Sequence, residues 1–226
     1  MSDPPLHPGV EGRAPEMAEL IDAVRRIIAA AVTNRAPAQA TGLLAAELRA
    51  AAGRLEMHVP DPPPPLTVLT NVGGRGASGL LDRMAFDVVV GRYNPLALPL
   101  ELSFEPPRAV GRGRFPLPYE GPPGCVHGAV IAASFDIVLT AANVIADAAG
   151  PTVSLSLRYL RPTLLHDEAV FEAQVDRREG RRTFSSGRLV QNGLVTVEAE
   201  GQFAAIAHHR TQTLGSRQGE VRGGGD

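Results

Sequence analysis

Gly121-Pro122-Pro123-Gly124-Cys125-Val126-His127-Gly128-Ala129 is followed, nine residues after the histidine, by Asp136. Glycine and proline make the first half of this stretch a loop. The second half opens an apolar run that includes Val130, Ile131, Phe135, Ile137, Val138, Ala141, Val144 and Ile145. The spacing predicts a helix from about His127 to Ala148. It is apolar around most of its circumference and so buried on several sides. Gly150-Pro151 is expected to end it. A loop that opens a helix presents backbone N–H groups the helix itself cannot use, and these suit a developing negative oxygen. Asp136 puts a carboxylate farther along the same helix. Such an amide corner together with a carboxylate is the equipment of ester or thioester hydrolysis.

Working outward, the order is strand, strand, helix, then four strands. Leu100 to Phe104 alternates apolar and polar residues, and Val110 to Phe115 does so more loosely. After the helix come Thr152 to Leu160, Ala169 to Asp176, Thr183 to Gln191 and Leu194 to Ala204, each short and mostly alternating. Gly180 and Asn192-Gly193 punctuate the last two hairpins, and Asn-Gly is a strong hairpin signal. The expected fold class is α+β, an antiparallel sheet wrapped around one long helix. Before this core, Pro15 to about Leu55 reads as helical. Met17, Leu20, Ile21, Val24, Ile27 and Ile28 form one stripe, and Leu43, Leu44, Leu48 and Leu55 form a second after a break at Pro37. Pro60 to Pro65 and Gly73-Gly74-Arg75-Gly76 make a connector that neither helix nor strand tolerates. The expected organisation is a helical and Pro/Gly-rich extension over 1–82, the folded domain over 83–207 and a disordered tail over 208–226.

Composition removes several classes of function. The chain has 226 residues, a formal net charge of −2, 44% hydrophobic and 20% charged residues, which describes a soluble globular domain with extensions. No basic excess marks a nucleic-acid surface. No apolar run is read as reaching the roughly 18 residues that span a bilayer, and the proline-rich N-terminus lacks a signal-peptide core. The single cysteine, Cys125, fits a reducing cytoplasm. No Cys/His spacing points to a metal.

Three stretches at these spacings resemble one family. They are Glu120 to Gly128 with Asp136, Thr152-Val153-Ser154-Leu155-Ser156-Leu157-Arg158-Tyr159-Leu160-Arg161-Pro162, and Glu179-Gly180-Arg181-Arg182-Thr183-Phe184, with Asn94-Pro95-Leu96 upstream. From about Asn94 to Ile206 the chain is similar to hotdog-fold acyl-CoA thioesterases. The branch is that of the phenylacetate-pathway thioesterase and thioesterase-superfamily members 4 and 5. The resemblance implies that Asp136 is the general base or the nucleophile and that the Gly128 N–H polarises the thioester carbonyl. It also implies that His127 positions the loop or assists the carbonyl, and that Thr152 orients the water or the carboxylate. Arg158, Arg181 and Arg182 fall where relatives touch substrate or CoA, with Ser185 and Ser186 following the same turn. It implies further a site shared between two protomers, hence a homodimer or dimer of dimers acting on acyl-CoA, with no cofactor beyond the CoA of the substrate. Ala129 stands where the family commonly has a second glycine, and Leu160 replaces a common basic residue.

Other readings are a hotdog hydratase or dehydratase, whose histidine–carboxylate spacing is not seen here, and a non-catalytic acyl-CoA binder, which would not need Asp136. A Cys125–His127 nucleophile is set aside because no group orients it. The N-terminal stripe reads as a packing or dimer-covering helix. Glu16, Glu19 and Asp22 beside Arg25 and Arg26 give it mixed charge, without the basic face a lipid surface needs.

Overall fold

The computed structural model describes residues 7–64, 66 and 79–204. The Gly73–Gly76 part of the connector and the 208–226 tail lie outside the described residues. Two long helices open the described chain, α1 (Ala14–Thr33) and α2 (Ala38–Glu56), followed by the single turn α3 (Leu80–Arg83). Then come β1 (Leu100–Glu105), β2 (Arg108–Arg114), the central helix α4 (Gly128–Ile145), β3 (Thr152–Tyr159), β4 (Glu168–Glu179), β5 (Arg182–Gln191) and β6 (Leu194–Ala204). The strands form one six-stranded antiparallel sheet in the order β1-β2-β4-β5-β6-β3. Helix α4 lies across its inner face, in contact with every strand. This is the hotdog arrangement with an N-terminal helical extension.

The sheet makes room for the helix with small residues. Ala109, Ala173, Gly187 and Ala199 stand opposite one another across β2, β4, β5 and β6. A Cβ on Gly187 would meet the Phe135 ring at 3.1 Å and the Glu172 carbonyl at 2.9 Å, so glycine sets how closely α4 can approach. The neighbouring inner row is bulkier: Phe171, Leu189 and Val197. Phe135 packs edge-on against Phe171, with ring centres 5.1 Å apart, and both are fully buried. Alternating small and large rows let the helix seat closely on the sheet.

Both hairpins form as the sequence predicts. Asn192 and Gly193 both have positive φ, 51° and 76°, as a type I′ turn requires. The end of α4 differs from expectation. It stops at Ile145, before Gly150-Pro151. Asp147 takes the left-handed conformation (φ 51°), its N–H bonds the Val144 carbonyl at 3.1 Å, and the Ala148 N–H bonds the Asn143 carbonyl at 2.8 Å. That is a Schellman closure built on aspartate rather than glycine, a variant that propensity alone does not flag.

A second expectation is corrected. Helix α4 spans 18 residues with a mean hydropathy of 1.8 and is long and apolar enough, by length and composition, to cross a membrane. Asp136 breaks the run when residues are read singly, yet the average stays high. Half of that helix is buried inside the protein, and its cover is the sheet.

The extension meets the body through α1. Ile21 joins Val10, Ala85 and Tyr93 in a small second core. The Arg25 guanidinium donates to the Gly91 carbonyl at 3.1 Å and the Asn94 carbonyl at 2.8 Å, clamping α1 to that loop. No residue of α2 is buried, and Leu43 and Leu44 are 63% and 53% exposed. The second apolar stripe thus exists as predicted but is uncovered among the described residues. The helix–sheet contact carries the stability of the domain. Phe135→Ala is expected to cost about 3–5 kcal/mol, read as a fall in the urea midpoint with an unchanged slope.

Candidate active site

The loop before α4 is tied at almost every amide. Gly121 N–H donates to the Cys125 carbonyl (2.9 Å) and Cys125 N–H to the Pro122 carbonyl (2.8 Å). Gly124 N–H donates to the Glu120 carboxylate (2.7 Å). Val126 N–H reaches the Thr163 carbonyl and His127 N–H the Tyr119 carbonyl, both at 2.8 Å. Gly121 is required by closeness, since a Cβ there would meet the His127 Cα at 2.8 Å. At the helix start, the N–H groups of Val130 and Ile131 donate to the His127 carbonyl (3.0 and 3.2 Å). The Ala129 N–H donates to Nδ1 of His127 at 3.0 Å. Among the described residues, the Gly128 N–H is the one amide from Gly121 to Ile131 left without an acceptor.

That result sharpens the sequence expectation. His127 is the N-cap of α4, and its ring accepts through Nδ1, which leaves the proton on Nε2 in the neutral form. The amide corner therefore offers one free N–H, that of Gly128. Ala129 keeps its N–H, as expected, but the histidine occupies it. The free amide also lies at the positive end of the helix.

Asp136 is half-buried, between Phe135 and Ile137, which are buried. Thr152 Oγ1–H donates to Asp136 Oδ1 at 2.7 Å, so two sequence-selected residues meet. A bulge makes this possible. In β3, Thr152 pairs with Phe203 but Ser154 pairs with Gln202, so Val153 is the extra residue. Plain alternation would put Thr152 on the outer face with Ser154 and Ser156. The bulge turns it to the inner face, beside α4.

A third residue escaped the sequence reading. Tyr159, at the other end of β3 and on its inner face, donates its hydroxyl to the Gly128 carbonyl at 2.9 Å. Burial pushes its phenol above the ordinary value, so it remains a donor at neutral pH. The inner-face run Leu155, Leu157, Tyr159 was the available signal, but nothing in it pointed to the helix start. Beside Gly128 opens a cleft of about 500 Å³, lined by residues that include Val126, Ile131, Tyr159 and Leu160.

The five residues expected at the substrate sit elsewhere in the chain. Arg158 is on the outer face, donating through Nε to Glu198 at 3.1 Å, with a second bond from Nη2 to the same oxygen. Ser186 donates to Asp176 at 2.8 Å on the outer face. Ser185 is buried and donates to Asn143 at 2.6 Å, which makes it part of the interior. Arg181 and Arg182 lie at the β4–β5 turn, next to Thr183, whose hydroxyl reaches the Ala148 carbonyl at 3.4 Å. That is the C-terminal end of α4, about 27 Å by helix rise from its start.

Comparison with known proteins agrees with this architecture. Residues 123–198 match the family model described as Thioesterase superfamily. A solved thioesterase-superfamily protein is 34% identical, with a TM-score of 0.71, over 83% of this chain and 94% of its own. The chain belongs to the thioesterase superfamily. That likeness takes in more of the chain than the half quoted from the sequence. Acyl-coenzyme A thioesterase THEM4 from Bos taurus is 32% identical over 99 residues, 42% of this chain. The match spans 40% of that relative's length. The E. coli PaaI protein of the phenylacetic acid degradation operon is 16% identical, with a TM-score of 0.45, over 47% of this chain and 82% of its own.

The cap is testable apart from any activity. His127→Ala should lower stability by about 1 kcal/mol, and His127→Asn should restore most of it, because asparagine caps helices well. Thermal melting of the three proteins reads this directly.

Proposed function

We propose that this protein hydrolyses an acyl-CoA thioester to the free carboxylic acid and CoA. The observation that carries the reading is the Thr152 hydroxyl of β3 held 2.7 Å from Asp136, on the helix whose first amide, Gly128, is unpartnered among the described residues. The thioester carbonyl oxygen accepts from Gly128 N–H. Thr152 holds one oxygen of Asp136, and the other takes a proton from water as its oxygen attacks the carbonyl carbon. The negative charge that develops on the carbonyl oxygen stays on the Gly128 amide, at the helix N-terminus. The intermediate collapses by breaking the carbon–sulfur bond, and the CoA sulfur leaves with the proton. His127 contributes by capping the helix and fixing the corner. The scheme needs no metal or prosthetic group. Arg181 and Arg182 offer cationic forks to the CoA phosphates at the end of the sheet.

The same distances support a site shared with a second copy. Gly128 and Asp136 are eight residues apart on one helix, about 12 Å along the axis, too far to share one carbonyl group. The proposed site pairs the Gly128 corner of one protomer with Asp136 and Thr152 of another. Among the described residues, β3 is an edge strand with an open row of backbone groups, where a second copy can extend the sheet.

Free-thiol release from a panel of acyl-CoA esters tests the activity. Asp136→Asn is expected to lower kcat by about 10²–10⁴-fold while acyl-CoA still binds. Single turnover in ¹⁸O-water separates base from nucleophile, since only a nucleophilic Asp136 takes up label itself. An unaltered protein that binds acyl-CoA but never releases thiol would be a binder instead. Thr152→Ala should cost about 1.5 kcal/mol of transition-state stabilisation, roughly tenfold in rate, with Thr152→Ser close to the parent. Mixing Asp136→Asn with Gly128→Val protomers should restore part of the activity that each lacks alone, because one site of the mixed dimer is intact. Two inactive proteins that stay inactive after subunit exchange would count against the shared site.

A further inference from the structure

Three features converge on Tyr159. Its hydroxyl donates to the Gly128 carbonyl at 2.9 Å. A Cβ on Gly128 would meet that hydroxyl oxygen at 3.2 Å and the ring Cζ at 3.4 Å. The tyrosine also borders the cleft of about 500 Å³ next to Gly128. Gly128 has no positive φ to explain the glycine, so the tyrosine lying against it is the local reason for having no side chain there.

We propose that Tyr159 is a positioning and specificity-determining residue: it locks the Gly128 amide corner and walls the cleft that takes an apolar acyl group. This rests on the thioester-hydrolase reading above. The lining supports the ligand class. Pro122, Val126, Ile131, Leu160 and Pro162 present hydrocarbon to the cleft. Its one cationic residue, Arg161, is held at the rim by a bond from Nη1 to the Val195 carbonyl at 2.8 Å.

The positioning role follows from where the bond falls. Tyr159 holds the carbonyl of the residue whose N–H meets the substrate oxygen. Small rotations at Gly128 swing that N–H, and an oxyanion donor acts only when aimed at the place where charge develops. The inner face of β3 thus touches α4 at Asp136 through Thr152 and at Gly128 through Tyr159. One strand sets both groups that the reaction needs.

Kinetics on single variants and on a double-mutant cycle test this. Tyr159→Phe keeps the ring and removes the donor. It should lower kcat about three- to tenfold with KM within about twofold and the acyl preference unchanged. Tyr159→Ala should in addition shift preference towards bulkier apolar acyl groups. Gly128→Ala should slow turnover in the parent but cost several-fold less when Tyr159 is alanine, since the obstructing atoms are gone. Tyr159 is 52% exposed, so these variants should fold. Thermal melting checks this, and Tyr159→Leu replaces the alanine variant if that one fails. Kinetics of Tyr159→Phe equal to the parent, or strictly additive costs at 128 and 159, would overturn the tyrosine proposal and leave the hydrolase reading standing. Absence of turnover by the unaltered protein on every acyl-CoA would overturn both.

Discussion

One helix held on one strand is the constraint that orders this molecule. Helix α4 starts with Gly128 under the Tyr159 hydroxyl and carries Asp136 against the Thr152 hydroxyl. Both hydroxyls come from β3, one from each end. The sheet supplies the force for this arrangement, because burying the apolar sides of α4 against the row Ala109, Ala173, Gly187 and Ala199 leaves it a single seat. Once seated, its polar groups have fixed positions. The chemistry proposed for the site uses what the packing leaves over: one amide without an acceptor and one carboxylate oxygen not taken by threonine.

The loop ahead of α4 shows how a free amide comes about. Each tie of the segment from Gly121 to His127 consumes one donor, and the histidine ring consumes the donor that a family glycine would otherwise offer at position 129. The corner is rigid for the same reason that it is sparing. A pre-set donor costs no reorganisation when charge appears, and this is the usual advantage of an amide corner over solvent water.

The extension behaves differently. Helix α1 is pinned by a small apolar cluster and by Arg25 on the carbonyls of the 91–94 loop. Its neighbour α2 displays leucines without burying them. A helix of this kind has little stability from propensity alone, so the two halves of the extension stand in different relation to the body. The body itself has one continuous apolar core, from Leu80 to Phe203.

Much of the architecture was legible in the residues. The alternating strands, the Asn192-Gly193 turn and the apolar helix after a Gly/Pro loop are local signals, and each formed in the order the pattern gave. Asp136 stood out because a carboxylate among Phe135, Ile137 and Val138 needs a reason. What the chain could not show is which face each strand residue takes once a bulge intervenes. Alternation alone would put Thr152 outward, yet the extra residue Val153 turns it inward to Asp136. Ser185 and Ser186 read alike as letters, but one side chain is buried on Asn143 and the other faces Asp176. The end of α4 was misplaced because Asp147 adopts a backbone shape usually left to glycine. Short-range periodicity therefore determined the elements and their order, because it depends only on neighbours in the chain. Register, the bulge and the meeting of Tyr159 with Gly128 were decided by tertiary structure, because they join residues that are far apart in sequence and are set by how the sheet closes on its helix.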